Sequence, residues 1–210
     1  TSVSNFQNIR VNVIRAITLK DDDFLHSVRL TDGNRDIIIG ASNGKAIRFN
    51  ENDVREMGRT AAGVKGISLS EKESVVGVST VTEDRNQILA ITKKGYGKRT
   101  DVDEYRLQKR GGKGVKTINV TSKNGDLAKL ISVVGNEDLL AVSDKGIIIR
   151  TPIDQISITK RATQGVKIIN LVEEHVVSTI ALVDKDEEVD EINIEKYRAV
   201  GETEFREEKD

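Results

Sequence analysis

The sequence predicts an all-β, propeller-like fold, and three observations carry that expectation. One segment occurs three times at a fixed offset of 51 residues, beginning at Asp36, Gln87 and Asp138. Each copy divides into apolar runs of strand length separated by polar, Gly-containing turns. Few stretches inside the copies carry helical periodicity. A four-stranded unit recurring at near-constant spacing is the signature of a propeller, although this period exceeds the ~40–45 residues of a WD40 blade. The chain has no Trp, so the dipeptide that marks WD40 blades is absent as well.

The copies align without gaps. Gly44, Gly95 and Gly146 superpose, followed by Arg48, Arg99 and Arg150, then by Arg59, Arg110 and Arg161. Gly63, Gly114 and Gly165 come next, with Lys65, Lys116 and Lys167 two residues later. Within one unit the expected strands are residues 74–81, 87–92, 96–100 and 115–121, assembled as one sheet. The second and third are joined by Lys94-Gly95, whose counterpart Asn43-Gly44 predicts a two-residue type I′ hairpin turn. Gly63, Gly114 and Gly165 are expected where the backbone bends or takes positive φ. Residues 12–19 resemble the last strand of an earlier unit and residues 175–183 the first strand of a later one. The chain therefore reads as a fragment entered partway through a repeat, with one domain over 1–183 and repeats centred on 36–69, 87–120 and 138–171.

Composition limits the function. The 210 residues include no Cys, which excludes disulfides and thiolate metal sites and fits a reducing cytoplasm. No signal peptide is expected, and the sequence holds no apolar run of about 20 residues. The net charge of −1 hides an asymmetry. Residues 184–210 hold 12 Asp/Glu against 5 Lys/Arg, leaving 22 against 28 in residues 1–183. A basic body with an acidic, solvated and disordered tail is expected, with residues 191–200 able to form a short helix.

The positive charge is concentrated in the middle copy. Residues 87–120 carry 9 Lys/Arg and 3 Asp/Glu, against 5 and 4 in residues 36–69 and 5 and 3 in residues 138–171. Its long loop reads Gln108-Lys109-Arg110-Gly111-Gly112-Lys113-Gly114. Glycines let a backbone approach phosphates, Arg engages them bidentately and Lys supplies a mobile charge. The same composition also describes a glycine turn flanked by solvated charges. A nucleotide loop fits poorly, because Gly112-Lys113 is followed by Gly114 rather than Ser or Thr. His26 and His175 stand singly, without partners at metal-ligand spacing. Asp21-Asp22-Asp23 lacks the spacing of a calcium loop. Tyr105 sits among Arg99, Arg106 and Lys109 and reads mainly as a packing residue. Arg48, Arg99 and Arg150 either face outward as a ring or pair with Asp and Glu in each loop.

The heptad 108–114 resembles the glutamine–basic–arginine–glycine–glycine–basic–glycine box found in the C-terminal domain of the DNA gyrase A subunit. So do GYGKRT (95–100), AIRF (46–49), MGRTAAGVKGI (57–67) and TQGVKIINL (163–171), and the likeness spans roughly residues 10–183. The resemblance implies a β-pinwheel, a propeller-like disc with DNA wrapped around a basic rim. It also implies that a wrapped duplex segment is presented for passage during ATP-dependent negative supercoiling. ATP and Mg, the breakage tyrosine, the rest of the gyrase A subunit, together with the gyrase B subunit, are then expected outside this chain, which needs no cofactor of its own. The family's box lies in its first blade, whereas about one full repeat and a partial one follow here, so residues 108–114 read as a late-blade box. The expected DNA contacts are Gln108, Lys109, Arg110, Gly111, Gly112, Lys113 and Gly114, with Lys98, Arg99, Lys116, Arg48, Arg59, Lys65, Arg150, Lys160, Arg161 and Lys167. The homologous part of topoisomerase IV and a propeller serving as a protein-interaction platform are the alternatives. An enzyme is more distant, because no nucleophile or acid/base pair emerges.

Overall fold

The computed structural model describes residues 1–7, 14–172 and 175–185. Among them there is no α-helix; short 3₁₀ turns punctuate eleven strands. In chain order these are β1 (Asp36–Ala41), β2 (Lys45–Asn50), β3 (Val75–Val81), β4 (Gln87–Thr92), β5 (Tyr96–Asp101), β6 (Val115–Lys116), β7 (Leu127–Val133), β8 (Glu137–Ser143), β9 (Ile148–Pro152), β10 (Val166–Lys167) and β11 (Val177–Asp184). They form three antiparallel sheets, ordered β3-β1-β2-β6, β7-β4-β5-β10 and β11-β8-β9.

The hairpin strands and the long strands 75–81 and 177–184 lie where the sequence puts them, but the expected strand 115–121 shortens to Val115–Lys116 and the partners differ. The repeat predicts that residues 74–81 and 115–121 share a sheet with 87–100. Instead β3 pairs with β1, and β6 pairs with β2, so both complete the hairpin that precedes them. Likewise β11 completes the third sheet with β8 rather than opening a new unit. Strand β6 thus leaves its own repeat to become the outer edge of the previous blade, and β10 does the same one repeat later. Residues 14–19, the described part of the expected strand at 12–19, join no sheet. All but the first two residues of the acidic segment 184–210 lie outside the described residues.

The hairpin turns differ from the expected type I′. Gly44 N–H donates to Ala41 O at 3.0 Å, and Ala41 pairs directly with Lys45, so the loop has three residues. Gly44 alone takes positive φ (78°), while Asn43 stays on the ordinary side and its Oδ1 accepts from Lys45 N–H at 3.0 Å. This is a type I turn closed by a left-handed glycine, the usual three-residue solution. The turns at Gly95 and Gly146 repeat it.

The blades stack face to face, and β4 shows why its ILAI run is continuously apolar. Successive side chains point to opposite faces. Ile88 and Ala90 pack against Ile38 and Ala46 of the first blade, with Tyr105, Ile118 and Leu130 in the same cluster. Leu89 and Ile91 pack against Leu139, Ala141, Ile153 and Ile156 of the third. A sheet covered on both faces needs no polar alternation.

Candidate nucleic-acid interface

After β5 and the 3₁₀ turn at Val102–Glu104, the chain crosses to the outer edge of the first blade. Leu107 forms a parallel bridge with Arg48, and Gln108 N–H donates to Arg48 O at 2.9 Å. The box then docks through its backbone. Gly111 N–H donates to Gly66 O at 2.6 Å, and Ser68 N–H donates to Gly112 O at 2.9 Å. Gly114 (φ 71°) lies so close to β2 that a Cβ there would fall 2.5 Å from Ala46 O. The glycines therefore allow one blade's loop to lie flat on the next blade's edge.

The box cations divide into two groups. Arg110 is half-buried; its Nε donates to Asp53 O at 3.0 Å and its guanidinium also reaches Lys65 O at 3.2 Å. Arg161 repeats the second contact on Lys116 O at 3.0 Å. Each arginine thus ties its blade's loop to the backbone of the preceding repeat. Lys109 and Lys113 are exposed instead. So are Lys160 in the third blade's loop and the repeat-matched Lys65, Lys116 and Lys167. Lys116 and Lys167 sit on the inserted outer strands β6 and β10. Lys45 faces Lys116 across the ladder and escapes the sequence reading; its place beside Gly44 in the repeat is the available signal. Arg106 is a further exposed cation of the same loop.

Three expected contacts point inward. Lys98 is 0 % exposed and Arg99 7 %, so neither presents its charge to a bound duplex. Lys98 Nζ donates to Lys160 O and Arg161 O, each at 2.6 Å. Burial, reinforced by the Arg161 guanidinium, pulls its pKa down to about 8. Arg99 reaches Ile156 O, Asp154 O and Gln87 Oε1 at 2.8–3.0 Å. Arg48 binds Asp36 at 2.7 Å and reaches Val102 O and Tyr105 O. These two matched arginines thus hold the following blade's 3₁₀ turn and bond the residue twelve positions earlier, Asp36 or Gln87. Arg150 is exposed but donates to Asp138 at 2.6 Å, twelve positions earlier again. The pairing alternative describes Arg48 and Arg150; Arg99 instead bonds an amide oxygen and two backbone carbonyls, and among the described residues the three form no outward ring.

The remaining candidates are structural in their surroundings. Arg59 lies 6.0 Å from the centre of the Phe6 ring. Gln108 is half-buried, with Nε2 unpartnered among the described residues. Tyr105 is 1 % exposed, its hydroxyl bonds Thr117, and burial pushes its pKa up to about 12. Among the described residues no cluster of three or more metal-ligating side chains forms.

The comparison with known families matches this arrangement. A family model for the DNA gyrase C-terminal domain, beta-propeller, matches residues 11–32, 35–82, 86–133 and 137–184. The chain belongs to the family of DNA gyrase C-terminal domains. The last three matched segments each hold one hairpin and the long strand after it, the three-stranded part of each sheet, while β6 and β10 fall in the segment after the one whose sheet they join. The chain is 48% identical over 189 residues to the DNA gyrase A subunit of Staphylococcus epidermidis, covering 90% of this chain and 21% of that protein. It is 45% identical over 203 residues to the Staphylococcus aureus counterpart, covering 96% and 23%. It thus spans about a fifth of the length of these relatives. A solved DNA gyrase A C-terminal domain superposes with a TM-score of 0.74 at 26% identity, over 81% of this chain and 58% of that one. The C-terminal domain of DNA topoisomerase IV superposes at 0.77 and 24% identity, over 88% and 57%, which is a likeness of fold. Among the described residues no helix is long and apolar enough to cross a membrane.

Proposed function

We propose that this chain wraps double-stranded DNA along the outer edges of its blades. Within a parent gyrase A subunit it then presents the wrapped duplex for ATP-dependent negative supercoiling. The observation that carries the reading is the recurrence of exposed Lys65, Lys116 and Lys167, one per repeat, beside exposed Lys109, Lys113 and Lys160. Cations spaced by blade geometry meet phosphates at regular angular intervals and give affinity without base readout. Bending 20–30 base pairs by 40–90° costs on the order of 1–6 kcal/mol, which several phosphate contacts offset. The 45–48% identity to gyrase proteins favours gyrase over topoisomerase IV as the parent. The chain contributes no bond-breaking step in this reading; breakage, ATP and Mg belong to the rest of the gyrase A subunit, with its B subunit.

Salt dependence tests it. With the six lysines on phosphates, log affinity for a duplex falls with log salt at a slope of about −5. Replacing Lys65, Lys116 and Lys167 with Ala reduces that slope by about 2–3. An affinity that barely changes with salt, or a slope untouched by the triple change, contradicts the proposal.

A further inference from the structure

The first two blades dock the following blade's loop in two ways. Beyond the strand-edge bond from Gln108 N–H to Arg48 O, which recurs as Thr159 N–H to Arg99 O at 2.9 Å, the box loop is held by four bonds: Arg110 Nε to Asp53 O, the Arg110 guanidinium to Lys65 O, Gly111 N–H to Gly66 O and Ser68 N–H to Gly112 O. One repeat later, Ala162, Thr163 and Gln164 stand where Gly111, Gly112 and Lys113 stood. Two of the four bonds recur, from the Arg161 guanidinium to Lys116 O and from Asn119 N–H to Thr163 O at 2.8 Å. The other two do not. Among the described residues, Arg161 Nε is buried without a partner and no bond joins Ala162 N–H to Thr117 O.

The residue beneath each loop changes in step. Ile47 lies under the box, its Cδ1 at 3.5 Å from where a Gly112 Cβ would stand. At the matched position of the middle blade stands Lys98, and at that of the third Ile149. Lys98 supplies two bonds, to the carbonyls of Lys160 and Arg161. Thr100 Oγ1 adds one to Thr159 O at 2.9 Å, and Asn124 one to Gln164 O at 3.2 Å. Among the described residues no side-chain carboxylate bonds the ammonium, and Arg161 lies close enough to repel it. An isoleucine there would avoid that desolvation. The ammonium does what an isoleucine cannot: it fixes the carbonyl of Lys160 inward, so that the Lys160 side chain leaves the loop at its exposed surface.

We propose that Lys98 is a positioning residue for DNA binding, an internal ammonium that takes over the docking of the third blade's loop and holds Lys160 on the DNA-facing edge. The inference rests on the wrapping reading above. Lys98 touches no DNA; it acts through Lys160.

A double-mutant cycle on the full chain tests it, with affinity for a fluorescent duplex as the readout and urea unfolding as the control for folding. Lys98→Met weakens binding about as much as Lys160→Ala, each about fivefold, and the double variant is no weaker than either. Lys98→Gln, which keeps two N–H donors without the charge, recovers most of the affinity. Losses that multiply in the double variant, or Lys98→Met that binds normally, overturn the inference. If Lys98→Met does not fold, the cycle of Lys98→Gln with Lys160→Ala decides. There the expected outcome is near-wild-type affinity for Lys98→Gln alone and no loss beyond that of Lys160→Ala in the pair; a larger loss in either overturns the inference. A separate triple change of Lys65, Lys116 and Lys167 to Ala tells the two failures apart. If that change leaves binding intact, the wrapping reading fails; if it weakens binding while Lys98 and Lys160 act independently, only this inference fails.

Discussion

Replacing Gly114 with Ala probes the strand exchange between blades, and Gly63 provides a matched control. Both glycines occupy the same repeat position and both have positive φ, 71° and 82°. An Ala in that conformation costs about 1–2 kcal/mol at either site. The surroundings differ. A Cβ at Gly63 meets nothing within 4 Å, whereas at Gly114 it falls 2.5 Å from Ala46 O and 2.8 Å from Ala46 C. Those are backbone atoms of β2 and cannot rotate away, so the strand must lift. Lifting it endangers the Lys45–Lys116 and Ala46–Val115 pairs and the bond from Thr117 N–H to Gly44 O at 2.8 Å. At about 1 kcal/mol net per hydrogen bond, that adds roughly 2 kcal/mol. Gly63→Ala is therefore expected to cost about 1–2 kcal/mol and Gly114→Ala about 3–4 kcal/mol in urea unfolding. At about 2–4 °C per kcal/mol, Gly114→Ala melts roughly 10 °C lower than the parent. Equal losses at the two sites would refute the exchange of β6 onto the first blade.

Two further outcomes separate structural cations from exposed ones. Arg110→Ala removes two bonds to backbone carbonyls of the previous blade and should lower stability by about 1–2 kcal/mol, while Lys113→Ala stays within about 0.5 kcal/mol in the same unfolding assay. Lys98, with a folded pKa of about 8 against an ordinary 10.5, binds its proton less tightly folded than unfolded. Between those values the unfolded chain holds a proton that the native state has released, so stability rises with pH from about 8 to about 10.5. The difference between the parent and Lys98→Met, followed by urea unfolding across that range, isolates this contribution; a difference that is flat or falls with pH contradicts it.

The repeat makes most of the fold legible. Gapless self-alignment locates each hairpin, and the ILAI run marks the blade covered on both sides. What it leaves open is the partner of each strand. A two-residue strand such as Val115–Lys116 has no periodicity that names the sheet it joins, and only the third dimension shows that the loop crosses to the previous blade. At the site, the exposed lysines and the inward arginines look alike as letters. Two signals in the sequence separate them. Asp36 and Asp138 stand twelve residues before Arg48 and Arg150, a ready ion pair across each hairpin. Position 98 aligns with Ile47 and Ile149, so Lys98 occupies an apolar column, the mark of an interior position. The type I′ expectation fails because Asn-Gly is not the complete loop; Ser42 also belongs to the turn.

Ring closure of a duplex of about 150 base pairs, one persistence length, separates wrapping from mere binding, because binding without bending leaves its rate unchanged. At saturating protein, wrapping should make ligase close such rings at least about tenfold faster. At matched occupancy, replacing Lys65, Lys116 and Lys167 with Ala should remove the acceleration. Saturated binding with an unchanged closure rate would mean that the chain holds DNA without wrapping it.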